Sequence, residues 1–325
     1  MNIAICLNHN FLMPYGVTLQ SLCENNRAEP VCVYVITDDT FTKDDVTIFS
    51  GIVKGQNKKN EIHIIRVSDE QIEEFAKLAN SRYPRQVFYR LLLDSLLPSS
   101  VERVLYLDGD IIVRKSLHDL WVMNLEGKAI GAVTDSLSGI LEYYNRLHIP
   151  ITKGYVNAGV LLINLKFWRE NGYGERFIKF MREYPDRIVL NDQDVLNFVA
   201  QDSKAYIPMK YNLQTMFLYK DHYQNFSIYQ FKDEYDEARV DPAIIHFSGC
   251  RPWEEGCKHP YMEEFFKYRS ETIWKDLPLQ KVHHPLKFYV IEFLRWALTP
   301  LGITHYVSDY FDRTLRLKDQ PTHAI

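Results

Sequence analysis

The chain has 325 residues, with 38 basic side chains against 42 acidic ones and a formal net charge of −4, so no nucleic-acid-binding surface is written into its composition. At 46% hydrophobic and 25% charged, it has the makeup of a soluble globular protein with one large domain and an appendage, or with two domains. Cys6, Cys23, Cys32, Cys250 and Cys257 give an odd count without close paired zinc spacing, and read as reduced, structural thiols. The first residues begin a strand with no basic segment before it, and no run of about 18 apolar residues occurs, so a cytoplasmic protein is expected.

In chain order, residues 2–7 form an apolar run that ends in Asn8-His9-Asn10, and residues 15–23 follow with the helical spacing of Val17, Leu19 and Leu22. Residues 31–36 predict a second buried strand, 44–52 a helix and 61–67 a third strand, and Ser68 can cap a helix over 69–79. Such alternation argues for a parallel sheet covered on both faces. No G-x-G-x-x-G opens the first helix, which disfavours a dinucleotide-binding dehydrogenase. Residues 86–96 read as a helix carrying Arg90 among Phe88, Leu91, Leu92 and Leu93; its stem either reaches over apolar neighbours to solvent or serves the strand end that follows.

That strand organises the chain. Arg103-Val104-Leu105-Tyr106-Leu107 is apolar and β-favouring, and it ends in Asp108-Gly109-Asp110 before a second β-branched run. In an extended chain the two aspartates point the same way, roughly 7 Å apart. Two unpaired carboxylates repel, and a divalent cation removes the difficulty. The glycine spares a Cβ that would crowd a ligand. An ordinary acidic turn is the alternative, but open α/β sheets place their ligands beyond the carboxyl ends of their strands.

Residues 118–121 predict a short turn and 130–134 another strand. Tyr155-Val156-Asn157-Ala158-Gly159 then opens a long apolar strand, where small residues permit close approach by a ligand, or a tight bend holds a self-satisfied asparagine. Residues 167–184 read as a helix broken near Gly172 and Gly174. Asn191 or Asp192 can cap a helix over 195–200, an account that leaves Gln193 without a task. A strand over 243–247 ends in His246-Phe247-Ser248-Gly249, where a lone histidine can equally be structural. Residues 261–274 are helical in pattern. Residues 285–302 set Tyr289, Phe293 and Trp296 on one side of a helix, which either lies at a membrane surface or packs on the parent domain.

Taken together, Leu105-Tyr106-Leu107-Asp108-Gly109-Asp110, the Asn157 to Leu165 stretch, Asn191-Asp192-Gln193-Asp194 and His246-Phe247-Ser248-Gly249 resemble, in this order, the motifs of glycosyltransferase family 8. The likeness runs from residue 2 to about 253, and lies nearer to the bacterial lipopolysaccharide galactosyl- and glucosyltransferases than to glycogenin-like members. It implies an α/β GT-A fold, with a Rossmann-like, mostly parallel sheet over residues 1–255 and a helical extension over 256–325. It also implies a UDP-sugar donor, a divalent metal (Mn2+ or Mg2+) and retention of the anomeric configuration.

Carried over by the resemblance, Asp108, Asp110 and His246 are the metal ligands, and Asn8, Asn10, Gly249 and Arg251 the nucleotide contacts. Arg90, Asn157, Ala158, Asp192 and Gln193 surround the donor sugar, with Gln193 and Asp192 the catalytic candidates. The family often has Asp where Asn8 stands; an amide can still pair with uracil. After Gly249 the family usually has two residues and a lysine before Pro-Trp, whereas Cys250-Arg251-Pro252-Trp253 is one residue shorter with arginine instead. The expected acceptor is a glycan or lipid-linked oligosaccharide, met by loops over 136–154 and 211–236, with the enzyme at the inner face of the cytoplasmic membrane through 285–302. A different UDP-sugar, or a non-catalytic binding relative, stays open at this point.

Overall fold

The computed structural model describes residues 1–68, 85–219 and 231–282, with isolated positions 70, 72, 75, 290, 293 and 294. Apart from those positions, the helix expected over 69–79 and the amphipathic segment 285–302 lie outside the described residues. Among the described residues there are ten strands: β1 (Asn2–Cys6), β2 (Cys32–Thr37), β3 (Glu61–Arg66), β4 (Arg103–Leu107), β5 (Ile111–Val113), β6 (Ile130–Thr134), β7 (Val156–Asn164), β8 (Lys204–Tyr206), β9 (Leu213–Gln214) and β10 (Ile244–His246).

Seven strands form one sheet in the order β3-β2-β1-β4-β7-β6-β8, and β5-β10-β9 form a second. In the large sheet β7 alone runs against its neighbours β4 and β6; every other pair is parallel. The reversal has a geometric consequence. The carboxyl ends of β1, β4 and β6 and the amino end of β7 lie along one edge, where the chain also departs from β1 to β2 on one side and β4 on the other. Such switch points are where open α/β sheets bind ligands.

Both faces of this sheet are buried, as the continuous apolar runs predict. Ile3, Ile5, Leu105 and Leu107 face the helix Leu12–Asn25, with its Val17, Leu19 and Leu22, in one core. Ala4, Cys6, Val104 and Tyr106 face the other, with Leu161, Trp168 and Phe177. Each large apolar side chain removed from water there stabilises by about 1.5–3 kcal/mol.

Two helical expectations change on folding. Residues Arg85–Leu92 wind as a 3-10 helix, and only Leu93–Leu96 is α-helical. Three residues per turn eclipse Val87 and Arg90, both of which line one cleft. The helix expected over 195–200 begins earlier, at Asp192–Val199, so Asp192, Gln193 and Asp194 form its first turn. Asn191 stands before it at φ 52, ψ −127 and its side chain caps nothing. That backbone is costly for any residue other than glycine, and it stands directly before Asp192 and Gln193.

Beyond residue 255 the chain returns to the main core. The helix Met262–Arg269 contributes Phe265 and Tyr268 to the cluster that holds Ile5, and Asn25 Nδ2 donates to the Tyr268 hydroxyl at 2.8 Å. No helix among the described residues is long and apolar enough to cross a membrane.

Candidate active site

β4 delivers Asp108 at its end, and the chain bends there instead of staying extended, so Asp110 turns back toward it. Antiparallel pairing of β5 with β10 sets His246 opposite Ile111, and the Phe247 N–H donates to the Asp110 carbonyl at 2.8 Å. Three ligand atoms from Asp108, Asp110 and His246 thereby lie within 4.8 Å of one another. Gly109 has a different task from the one read in the sequence. A Cβ there would meet the Tyr15 ring at 2.6 Å, so the glycine makes room for a protein side chain that itself lines the cleft.

A backbone N–H fixes the state of His246. Gly159 N–H donates to Asn157 Oδ1 at 2.9 Å, so that atom is an acceptor, and the Asn212 atom 2.9 Å from it is the amide donor Nδ2. Asn212 Oδ1 therefore faces His246 Nδ1 at 2.9 Å, and Nδ1 must carry the proton. Nε2 is left pointing at Asp110 Oδ1, 3.2 Å away. A lone pair facing a carboxylate needs a cation between them, a proton or a metal ion. Burial alone lowers the His246 pKa, but Asp110, with Asp108 and Asp135, outweighs it and the imidazole is raised. Burial likewise raises Asp110, and His246 more than offsets it, so this carboxyl is lowered.

Arg90 is the buried hub beside the triad. Its Nη2 donates to Asp108 Oδ1 at 2.9 Å and its Nη1 to the Ala158 carbonyl at 2.7 Å, with the guanidinium 4.3 Å above the Tyr106 ring. The Tyr106 hydroxyl donates to the same Asp108 oxygen at 2.7 Å. Asp192 Oδ2 lies 3.0 Å from Arg90 Nε, but that N–H is aimed at the Val87 carbonyl, and Asp192 Oδ2 accepts no hydrogen bond. Burial pushes the Asp192 carboxyl up to about 7, against the pull of Arg90.

Gln193 is held by both ends of its amide. Its Oε1 accepts from the Ala158 N–H at 3.0 Å and from Asn157 Nδ2 at 3.2 Å, and its Nε2 donates to Asp135 Oδ2 at 3.1 Å. Asp135 also accepts from Asn157 Nδ2 at 3.0 Å, so a continuous polar chain joins His246, Asn212, Asn157, Asp135 and Gln193. Asp135 is buried, and desolvation raises its pKa against the hydrogen bonds from Asn157, Leu137 and Gln193. Asp194, two residues from Asp192, serves the fold: it binds Arg146 at 2.7 and 3.0 Å and accepts from the Tyr155 hydroxyl and the Val189 and Leu190 N–H groups.

A cleft of about 200 Å³ opens at the ends of β1 and β4, and Asn8, Arg90, Asp108, Asp110 and Arg251 line it. Asn10, Asn157, Ala158, Asp192, Gln193, His246 and Gly249 do not. The Asn10 N–H donates to Asn8 Oδ1 at 3.1 Å and ties the turn His9–Phe11, and His9 is engaged by Asp45 at 2.8 Å. Gly249 adopts φ 86 and turns the chain toward Arg251. Sequence reading missed Asp135 and Asn212. Asp135 carries a usable signal, since it directly follows a predicted strand; Asn212 carries none. Of the loops expected to meet an acceptor, residues 220–230 lie outside the described part, and the Ser136 N–H is held by Gln214 Oε1 at 2.7 Å.

Residues 2–257 match the model of glycosyl transferase family 8. General stress protein A of Bacillus subtilis is 29% identical over 292 residues, which span 85% of this chain and 96% of that one. Lipopolysaccharide 1,3-galactosyltransferase of Salmonella typhimurium is 26% identical over 326 residues, spanning 97% and 91%. Among solved structures, the galactosyltransferase LgtC in complex with donor and acceptor sugar analogs has the same fold, with a TM-score of 0.74 at 23% identity over 89% of this chain and 99% of that one. The matched span takes in every motif from Asn8 to Arg251, and the chain belongs to glycosyltransferase family 8.

Proposed function

We propose that this glycosyltransferase moves a hexose, galactose or glucose, from a UDP-sugar to a hydroxyl of a cell-surface glycan, with a divalent cation and with retention at the anomeric carbon. The observation that carries the reading is the Asp108, Asp110 and His246 triad at a cleft that also presents Asn8 and Arg251. Lipopolysaccharide galactosyl- and glucosyltransferases among the relatives support the hexose and the acceptor class. The donor set of two carboxylates and one neutral imidazole nitrogen suits manganese, with magnesium as the harder alternative. The Asp110 and His246 pair, which requires a cation between its members, fits it as well.

When bound, the cation supplies Lewis-acid neutralisation of the departing diphosphate. Asp108, Asp110 and His246 would hold it. Arg251, whose half-exposed side chain is paired with Glu254 at 3.1 Å, would turn to the diphosphate, and Asn8, which lines the same cleft, would pair with the base. Asp192, with an oxygen that no donor satisfies, is the natural acceptor for a sugar hydroxyl. Gln193 is an amide and a poor nucleophile, so its amide oxygen would stabilise positive charge at the anomeric carbon rather than bond to it. The leaving phosphate then takes the acceptor proton on the same face, which retains the configuration.

UDP release from a panel of UDP-sugars, with manganese and then with chelator, tests the reading. Metal-dependent release from a hexose donor, lost in Asp110→Ala, is expected. Full turnover in Asp110→Ala, or undiminished release under chelator, would overturn the metal-dependent mechanism.

A further inference from the structure

Between β10 and the helix Met262–Arg269 the chain makes a loop whose two half-buried cysteines meet. The Sγ atoms of Cys250 and Cys257 lie 2.6 Å apart, far closer than two non-bonded sulfur atoms rest. The backbone is shaped for this. Gly249 at φ 86 and Gly256 at φ 85 each turn the chain immediately before a cysteine, and the Cys250 N–H closes onto the Phe247 carbonyl at 3.2 Å. The segment between the thiols carries Arg251 and Trp253, both of which line the cleft. On its outer side the segment is pinned to Gln280, whose N–H donates to the Trp253 carbonyl at 2.8 Å.

We propose that Cys250 and Cys257 are a reversible dithiol–disulfide pair, oxidised by small-molecule disulfides, which locks the segment bearing Arg251 and Trp253 against the cleft. The Cys250 thiolate attacks one sulfur of the small disulfide and expels a thiolate, leaving a mixed disulfide on Cys250. Cys257 then gives up its proton and attacks the Cys250 sulfur, expelling the second thiolate. Two cysteine thiols are oxidised and one disulfide is reduced to two thiols, so two electrons and two protons balance. The division of labour has a physical basis. The Cys257 thiol, with the backbone N–H groups of Lys258 and His259, brings Cys250 down to about 7, while the hydrogen bond to Cys250 and burial push Cys257 up. Cys6 and Cys23 are buried and far above the thiolate range, so they do not compete.

The pairing stands on the loop geometry alone, whereas its effect on ligands rests on reading the cleft as a nucleotide site. The full-length native chain would be incubated with glutathione disulfide, alkylated and peptide-mapped, and its affinity for UDP with manganese measured in oxidised and thiol-reduced forms. The expected product is a Cys250–Cys257 linkage that costs two of the five alkylatable thiols and is reversed by dithiothreitol. In Cys257→Ser a stable glutathione adduct should remain on Cys250. UDP should bind the oxidised form about threefold or more tighter, because the Arg251 segment is ordered in advance. Five alkylatable thiols after oxidation, or a glutathione adduct persisting on Cys250 in the unmutated chain, would overturn the pairing. Equal UDP affinity in both forms would overturn the coupling while the nucleotide reading stood. Absence of UDP binding in either form would remove that reading, and the coupling with it, and leave the linkage intact.

Discussion

Gly159 backs directly onto the imidazole of His246: a Cβ at position 159 would stand 2.3 Å from Cε1 and 2.8 Å from Nδ1. Close approach at the mouth of β7 is therefore used by a protein side chain, the third member of the triad. Gly159→Ala must push the ring away from Asn212 and Asp110 while leaving all three ligands in the chain. We expect a folded protein, by circular dichroism, whose manganese affinity falls about 10- to 100-fold in a calorimetric titration. Affinity equal to wild type would show that the ring has somewhere else to go.

Asn212 sets which nitrogen of His246 carries the proton, so its loss should be felt at the metal before it is felt at the donor sugar. In Asn212→Ala, Nδ1 loses its acceptor and Asn157 Oδ1 loses one of two donors. Manganese binding should weaken about tenfold, with a stability loss of about 1–3 kcal/mol from the partner groups left short. Histidine NMR should report a mixture of tautomers where the unmutated chain holds one. A single unchanged tautomer in the variant would refute the assignment.

Arg90 neutralises two carboxylates from inside the fold. Arg90→Ala leaves the partly exposed Asp108 and the buried Asp192 without their cation and should cost about 3–5 kcal/mol in denaturant unfolding. Arg90→Lys keeps the charge but cannot span Asp108 Oδ1 and the Ala158 carbonyl with a planar fork. That variant should remain folded and lose most of its turnover. Near-normal activity in Arg90→Lys would reduce Arg90 to a structural counter-ion.

Asp192 should write a pH dependence into stability. Its carboxyl is pushed up to about 7 by burial from an ordinary 3.8, so the folded state favours the protonated form. That contribution is complete below the unfolded value and is lost as pH rises toward 7. Asp192→Asn, neutral throughout, should therefore gain on the unmutated chain in unfolding free energy, measured by denaturant titration, from pH 5 to pH 7 and level off above it, by an amount on the order of 2–3 kcal/mol. A difference that stays flat over this range would mean that Arg90 keeps the carboxyl ionised.

Much of this site is legible in the residues themselves. A strand that ends in Asp108-Gly109-Asp110 announces its ligand edge, because an apolar run and an acidic terminus are both local. The alternation of strands and helices predicts the parallel sheet for the same reason. His246 is legible only through the company of the other motifs, since a histidine at a strand end has no local signature of ligation. The 3-10 winding around Arg90 and the early start of the helix at Asp192 follow from contacts with distant segments, and local propensity reads past both.

Sequence by itself determined the sheet class, the acidic strand end and the order of the family's motifs, all properties of short stretches whose pattern survives without neighbours. Tertiary structure decided the rest. The reversal of β7 brings Asn157 and Ala158 to the end of β4; Tyr15 fills the space beside Gly109 and His246 that beside Gly159; Asp135 and Asn212 join the site; Cys250 meets Cys257. Each of these depends on which atoms from separate parts of the chain come within hydrogen-bonding or packing distance, and only the folded backbone sets those distances.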